Sequence, residues 1–350
     1  MKIGIVGLPN VGKSTLFNAF LQRQQALSAN YPFATIEPNV GVVDVPDERV
    51  DKLAELSNSQ QKIYANITFV DIAGIVEGAH RGEGLGNQFL ANIREVDLIL
   101  VVLRAFTDET VVREGSKDPE SDYQIILTEL ILKDLETIQA QDKKIKKIPQ
   151  TKEEKAFKSA VEKTKSFLEE GLPARDIQFT DDELEQIKSL HLLTMKPMIK
   201  LYNVDETEIS TKVKENTDTQ LYISAKIEAE LSVLDKDDRE LYLKELNLDE
   251  SPLNQVIKTS YETLGLQTFL TTGPKESRAW KFKKGMNAKQ CAGVIHTDFE
   301  KNFIKAEVIK YEDFISAGSK LAAKEQGKLR LEGKDYIMQD GDVVEFKVGV

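Results

Sequence analysis

The stretch Gly7-Leu8-Pro9-Asn10-Val11-Gly12-Lys13-Ser14-Thr15 decides the reading of this chain. It carries two glycines separated by four residues, the second followed at once by Lys-Ser, the spacing of a phosphate-binding loop. Its surroundings agree. Residues 2–6 (Lys-Ile-Gly-Ile-Val) form a short apolar run suited to a buried strand, and residues 13–22 have helical character. Gly7 and Gly12 let the backbone curl so that successive N–H groups face an anion. The helix that follows adds its positive N-terminal end. Asn10, Val11, Gly12, Lys13, Ser14 and Thr15 are therefore the expected phosphate contacts. Lys13 supplies a point charge to the β- and γ-phosphates, and the Ser14 hydroxyl an oxygen for Mg²⁺.

Further out, residues 40–45, 67–70, 97–103, 198–202 and 220–223 read as buried strands, with a helix over 85–94 between them. Strands alternating with helices imply an α/β fold with a mostly parallel sheet. Residues 123–148 show apolar positions at helical spacing, stopped by Pro149, and a Lys/Glu-rich helix covers 153–168. The expected domains are a nucleotide-binding domain over residues 1–122 and 190–265, an inserted helical hairpin over 123–189, and a small α+β domain over 266–350. Lys143, Lys144, Lys146, Lys147, Lys152, Lys155 and Lys158 cluster on the hairpin of an otherwise acidic chain. They read either as a solvated arm or as contacts to RNA phosphates.

The composition sets limits. The chain has 350 residues, 41% apolar and 30% charged, which suits a globular protein of two or three domains. Its formal charge of −11 excludes a strongly basic nucleic-acid coat, and DNA is not an expected partner. A single cysteine, Cys291, excludes a disulfide framework and a cysteine-rich zinc site. With no long apolar run and no signal-peptide pattern, the expectation is a cytoplasmic protein without a membrane partner.

Four further segments complete the site. Asp71-Ile72-Ala73-Gly74 follows a strand; Asp71 is placed to hold Mg²⁺ through a water, and the Gly74 N–H to sense the γ-phosphate. Thr35 lies in a loop suited to closing over Mg²⁺. Asn203-Val204-Asp205-Glu206 stands where GTPases carry Asn-Lys-x-Asp. It keeps the Asn but has Val204 for the Lys and Glu206 for the Asp. The longer Glu206 fits guanine's paired donors poorly, so adenine becomes acceptable. Asp205 sits one residue early for that role. Ser224-Ala225-Lys226 matches the last base-side loop. Ile75 replaces the Gln that orients water in Ras-like enzymes. His80, Arg81 or a monovalent cation such as K⁺ held in part by Asn10 are the candidates to replace it, and His80 also reads as an exposed loop residue. His191 and His296 lack metal-ligand spacing and read as structural, and Trp280 reads as core.

Together these motifs resemble the YchF family, the Obg-like ATPases of the translation-factor class. The resemblance runs along nearly the whole chain. It rests on 7–15, 71–74, 82–90 (Gly-Glu-Gly-Leu-Gly-Asn-Gln-Phe-Leu), 203–206 and the C-terminal strings at 272–276, 293–301 and 327–336. The last three look like a TGS domain, a β-grasp fold. The resemblance implies ATP in preference to GTP and a coiled-coil arm for the hairpin. It also implies the ribosome as partner, through the large subunit and its rRNA, with Val204 against the base. Members of the family often carry a His in the strand that reads here Asp97-Leu98-Ile99-Leu100-Val101-Val102-Leu103-Arg104; this chain has none, so no role of that His transfers. The reading is an Mg²⁺-dependent ATPase acting as a slow ribosome-linked switch in translation or stress response. A GTPase of the Obg class, a non-catalytic nucleotide-sensing adaptor and a stress regulator acting through protein partners are the alternatives.

Overall fold

The computed structural model describes residues 1–27, 39–72, 85–107, 118–145 and 150–349. Along the chain the elements are β1 (Lys2–Val6), α1 (Lys13–Leu27), β2 (Val40–Asp44), α2 (Glu48–Ser57), β3 (Gln61–Ile63), β4 (Asn66–Asp71), α3 (Leu85–Arg94) and β5 (Leu98–Arg104). Then come α4 (Pro119–Asp142), α5 (Lys152–Glu169), α6 (Asp181–Lys188), β6 (Met198–Asn203), α7 (Ile209–Lys212), β7 (Gln220–Ile223), α8 (Ala225–Val233), α9 (Lys236–Glu245) and α10 (Pro252–Thr263). The C-terminal part holds β8 (Leu266–Thr272), β9 (Glu276–Lys283), α11 (Ala288–Ile295), α12 (Thr297–Lys301), β10 (Phe303–Lys310), α13 (Tyr311–Ala317), α14 (Lys320–Glu325), β11 (Arg330–Glu332) and β12 (Asp342–Val348).

These elements form two compact units, Met1–Val42 with Thr68–Leu253, and Val43–Ile67 with Asn254–Val350. The division differs from the expected domains in three respects: residues 123–189 are not set apart from the first unit, and two boundaries fall elsewhere. Residues 43–67 belong with the C-terminal elements, and the later boundary falls at 253/254. Neither departure has a local signal, because the partners of α2 and β3 lie more than 200 residues downstream.

The first unit is built on a sheet ordered β2-β4-β1-β5-β6-β7. β1 pairs in parallel with β4 and β5, β5 with β6, and β6 with β7. All seven residues of β5 are buried, as expected of a parallel strand covered on both faces. The chain crosses over β1 on passing from β4 to β5, so a crevice opens beyond the carboxyl end of β1. The loop of residues 7–12 lies there. α1 is held by Leu16, Phe17, Ala19 and Phe20, all buried, with the Phe20 ring 4.0 Å from that of Phe69 on β4.

α4 begins at Pro119 with Asp118 as N-cap, its carboxylate accepting from Ser121 N at 2.9 Å. It ends at Asp142, short of the expected stop at Pro149, which lies outside the described residues. Lys143 and Lys144 follow at the negative end of the helix dipole. α5 opens with a Thr151–Glu154 capping box and packs on α4 and α6, with Ala160, Val161 and Leu168 buried. Buried Asp134 on α4 accepts from Leu193 N (2.8 Å), Thr194 N (2.7 Å) and the Thr194 hydroxyl (2.6 Å). Of the expected basic cluster, Lys143, Lys144 and Lys155 are exposed, Lys152 pairs with Asp182 and Lys158 with Glu162, and Lys146 and Lys147 lie outside the described residues.

The second unit holds a mixed sheet ordered β11-β10-β12-β8-β9-β3. β8 and β9 are antiparallel, as are β10 and β12, while β12 and β8 run parallel. This is the expected β-grasp arrangement. α11 supplies Ala288, Cys291 and Ala292 to a core with Phe269, Phe282, Val308 and Phe346. Trp280 packs at the margin of that core, its indole N–H donating to Thr271 Oγ1 at 2.9 Å. His296 caps α12, its Nδ1 accepting from Asp298 N, which suits the structural role read for it. The excursion of residues 43–67 completes this unit. β3 adds in parallel to β9, and Ser59 donates to Gly273 O at 2.8 Å. Arg49 on α2 donates to Asp47 and, at 2.6 Å, to Asp340. Among the described residues no helix is long and apolar enough to cross a membrane.

Candidate functional site

The loop of residues 7–12 takes its shape from two backbone requirements. Asn10 has φ +62° and Gly12 φ +93°, both in the left-handed region. A Cβ at Gly12 would stand 2.2 Å from Asn203 Nδ2, and one at Gly7 would meet Val11 Cγ2 at 2.8 Å and Val102 O at 2.9 Å. Gly12 is thus required by close approach as well as by dihedral angle, and Gly7 by close approach alone.

Asn203, at the end of β6 and 6% exposed, ties three segments together. Its Nδ2 donates to Val11 O at 3.0 Å, and its Oδ1 accepts from Ala225 N at 2.9 Å. A single buried amide therefore links the phosphate loop to the start of α8. Lys13 Nζ donates to the Asp71 carboxylate at the end of β4, and both side chains are largely shielded from solvent. The ammonium and the carboxylate converge on one point at the mouth of the loop. Ser14 and Thr15, the next residues of α1, expose their hydroxyls beside it.

These residues line a cavity of about 1040 Å³, bounded by Leu8, Asn10, Lys13 and Thr15 at one end and by Val204, Glu206, Lys226 and Val233 at the other. That volume accommodates a ligand of nucleotide size. Of the residues expected as phosphate contacts, Asn10, Gly12, Lys13, Ser14 and Thr15 border this one space together with Asn203, Val204, Glu206 and Ser224, while Val11 is buried behind it. Thr35, Gly74, Ile75, His80 and Arg81 lie outside the described residues.

The geometry adds detail to the readings of three of these residues. Val204 is 3% exposed and packs in a cluster with Ile209, Tyr222, Ile227 and Leu231, so its side chain belongs to the core beneath the cavity and forms at most a floor. Glu206 is not left unpaired: it forms an ion pair with Lys226 at the start of α8. Asp205 is committed elsewhere, its Oδ2 accepting from Thr107 N at 3.1 Å and the Thr107 hydroxyl at 2.8 Å. Phe106, half-buried after β5, also lines the cavity, with the Arg104 guanidinium 4.5 Å from its ring centroid. The sequence reading passed over Phe106. Its signal was an aromatic residue just beyond the carboxyl end of a parallel strand, where ligands bind in such sheets.

Among the described residues no group of three or more His, Cys, Asp or Glu side chains is placed to hold a metal ion. Mg²⁺ does not need one, since it takes one or two protein oxygens and completes its shell with waters and phosphate. Ser14, next to Lys13 in the chain, and Asp71, paired with its ammonium, fit that requirement as hard oxygen donors.

Residues 2–163 match a family described as "50S ribosome-binding GTPase", and residues 266–349 one described as "Protein of unknown function (DUF933)". The curated "Ribosome-binding ATPase YchF" of Bacillus subtilis is 48% identical over 362 residues, covering 99% of both chains. The protein of the same name from Escherichia coli O157:H7 is 44% identical, covering 100% of this chain and 99% of its own. The solved structure of the Schizosaccharomyces pombe YchF GTPase superposes with a TM-score of 0.88 at 39% identity, covering 99% of this chain and 97% of that one. With a phosphate loop closed by its Asn brace, a β-grasp unit built from the C-terminal strands and relatives alike from end to end, the chain belongs to the YchF family.

Proposed function

We propose that this protein is an Mg²⁺-dependent ATPase that binds the ribosome and acts as a slow nucleotide-dependent switch. The observation that carries the reading is that Lys13, paired with Asp71, lines a nucleotide-sized cavity together with the phosphate loop. The loop's N–H groups and the start of α1 would cradle the phosphates. Lys13, released from Asp71, would neutralise charge on the transferring phosphoryl group, leaving Asp71 to accept from a metal-bound water. Bound Mg²⁺, held by Ser14 with Thr35, would lend electrostatic stabilisation to the phosphate oxygens. Water then attacks the γ-phosphorus in line, giving ADP and inorganic phosphate. Ile75 cannot hydrogen-bond that water, so turnover is expected to be slow without a partner or an ion such as K⁺. Phe106 offers a face for the base.

A ribosomal partner is supported by the names of the relatives and by the exposed Lys143, Lys144 and Lys155 on the helical arm. Contacts of that kind to the large subunit and its rRNA weaken steeply with salt. A cytoplasmic location follows from such a partner. The experiment is multiple-turnover phosphate release from ATP by the purified protein, with and without ribosomes. Release above background, raised by ribosomes, is expected; none in either condition would favour a non-catalytic adaptor. The GTPase reading draws its support from the S. pombe relative, which is named a GTPase, and is tested by competition between ATP and GTP.

A further inference from the structure

We propose that Lys196 is a positioning residue for hydrolysis: it ties the root of the helical arm to the residues beside Asp71, so that a displacement of the arm reaches the Lys13–Asp71 pair. The proposal rests on the ribosome-linked ATPase reading above and names the side chain through which the partner acts.

The route starts on α4. Asp134 is 2% exposed, and its carboxylate accepts from the Leu193 and Thr194 N–H groups and from the Thr194 hydroxyl. Thr194 Oγ1 accepts in turn from Ala174 N at 3.0 Å, in the segment that follows α5. The two helices of the arm are therefore both tied to one buried turn, Leu193–Met195. Hydrogen bonds from backbone N–H groups to a carboxylate are of the strong kind, and losing one here would leave a buried group without its partner. Turn and α4 are thus held as one body.

Lys196 follows that turn directly. Its half-buried side chain reaches back to the end of α3, where the ammonium donates to Arg94 O at 3.1 Å and to Val96 O at 2.5 Å. Arg94 is the last residue of α3, so its carbonyl is among those that a helix end leaves without an internal partner. Burial pushes the Lys196 ammonium below its ordinary value, with the charges of Asp97 and Asp134 opposing. A cation that is costly to bury is placed here to hold two carbonyls from a distant part of the chain.

Val96 carries the route inward. Gly4 on β1 has no side chain, and two others fill the space above it. A Cβ there would stand 2.6 Å from Ile72 Cδ1 and 3.0 Å from Val96 Cγ2. Ile72 and Val96 are both buried and lie side by side over that glycine. Ile72 follows Asp71, and its N–H donates to Ile5 O on β1, just ahead of the phosphate loop, at 3.1 Å. Close-packed side chains pass a shift on because no void absorbs it. A displacement at Asp134 therefore runs through Lys196 and Val96 to Ile72, the neighbour of the carboxylate that holds Lys13.

The test is steady-state phosphate release from ATP, with and without ribosomes, by the full chain and by Lys196→Met, Lys196→Arg, Asp134→Asn and the Asp134→Asn/Lys196→Met double variant. Ribosome binding is measured alongside by co-sedimentation. Lys196→Met keeps most of the side chain and removes its donors. It is expected to leave kcat and KM without ribosomes, and ribosome affinity, unchanged, and to cut the stimulation by ribosomes about fivefold, the lower end of ordinary coupling between sites. Lys196→Arg still offers donors to both carbonyls and should keep the stimulation. Asp134→Asn breaks the route one step earlier, leaves Lys196 in place and should give the same loss, so the proposal is tested even where the lysine variant folds poorly. Two breaks in one series add little to each other, so the double variant should be no worse than the more impaired single one. If Lys196→Met keeps full stimulation, loses ribosome-free turnover by the same factor or loses ribosome affinity, or if the double variant shows the product of the two single losses, the Lys196 proposal alone fails. If the unsubstituted protein does not hydrolyse ATP, or ribosomes do not raise its rate, the reading above fails and this one with it.

Discussion

At Gly12 the chain has no room for a side chain because Asn203 fills the space. A Cβ there would lie 2.2 Å from the Asn203 amide, and the φ of +93° would strain any L side chain. Gly12→Ala should therefore disturb the loop twice over, at about 1–3 kcal/mol for the backbone alone, and should lower nucleotide affinity in a binding titration. Asn203→Ala is the complementary change. It leaves the buried Ala225 N–H and Val11 carbonyl without their partner, so a loss of about 1–3 kcal/mol in denaturant unfolding is expected, together with weaker nucleotide binding. Unchanged stability would mean that another group takes over the brace. These roles were legible in part. The two glycines, Lys13, Ser14 and Asn203 announce themselves by spacing. That Glu206 faces Lys226, that Asp205 is held by Thr107 and that Val204 turns into the core depend on side-chain directions that no spacing reveals.

At the scale of elements, the strands and helices around the loop were readable because buried parallel strands are unbroken apolar runs, as β5 is over Leu98–Arg104. α2 and β3 were missed: α2 is a short amphipathic helix, and β3 has only three residues, two of them exposed. Their place is set by long-range bonds instead, above all Arg49 to Asp340. Arg49→Ala removes donors from both Asp47 and Asp340 and should destabilise the C-terminal unit by about 1–3 kcal/mol. Trp280 is the single tryptophan and sits on β9, so its fluorescence follows the melting of this unit. A melting curve identical to that of the unsubstituted protein would contradict the clamp.

A second element-scale prediction concerns the helical arm. Glu183, on α6, accepts from Lys163 Nζ at 2.7 Å and Ser159 Oγ at 2.6 Å, bonds that hold its carboxyl at about 2 against an ordinary 4.5. A carboxyl lowered in the folded state stabilises the protein above about pH 4.5, and that contribution fades as pH falls toward 2. Glu183→Gln should thus lower the melting temperature at pH 7, and the gap should narrow as the pH is taken from about 4.5 toward 2. A gap that stays constant would show that the charge is not what holds α6 to α5.

For the whole molecule, the two units do not correspond to contiguous pieces of chain. Residues 43–67 leave the nucleotide-binding sheet after β2, contribute α2 and β3 to the second unit, and return as β4, whose last residue is Asp71. The family match over 266–349 therefore spans less than a folded unit. A fragment of residues 266–350 lacks α2, β3 and α10, and should show no cooperative Trp280 transition under conditions where the full chain does.

The proposed function requires above all that the loop after β1 bind the polyphosphate of a purine nucleotide, ATP above GTP. The most direct measurement is calorimetric titration of the full chain with ATP and with GTP in saturating Mg²⁺, alongside Lys13→Ala. Saturable one-to-one binding is expected, ATP tighter than GTP by tenfold or more (about 1.4 kcal/mol), with no measurable heat for Lys13→Ala. Binding of ATP that survives Lys13→Ala undiminished, or no affinity for either nucleotide in the unsubstituted protein, would contradict it.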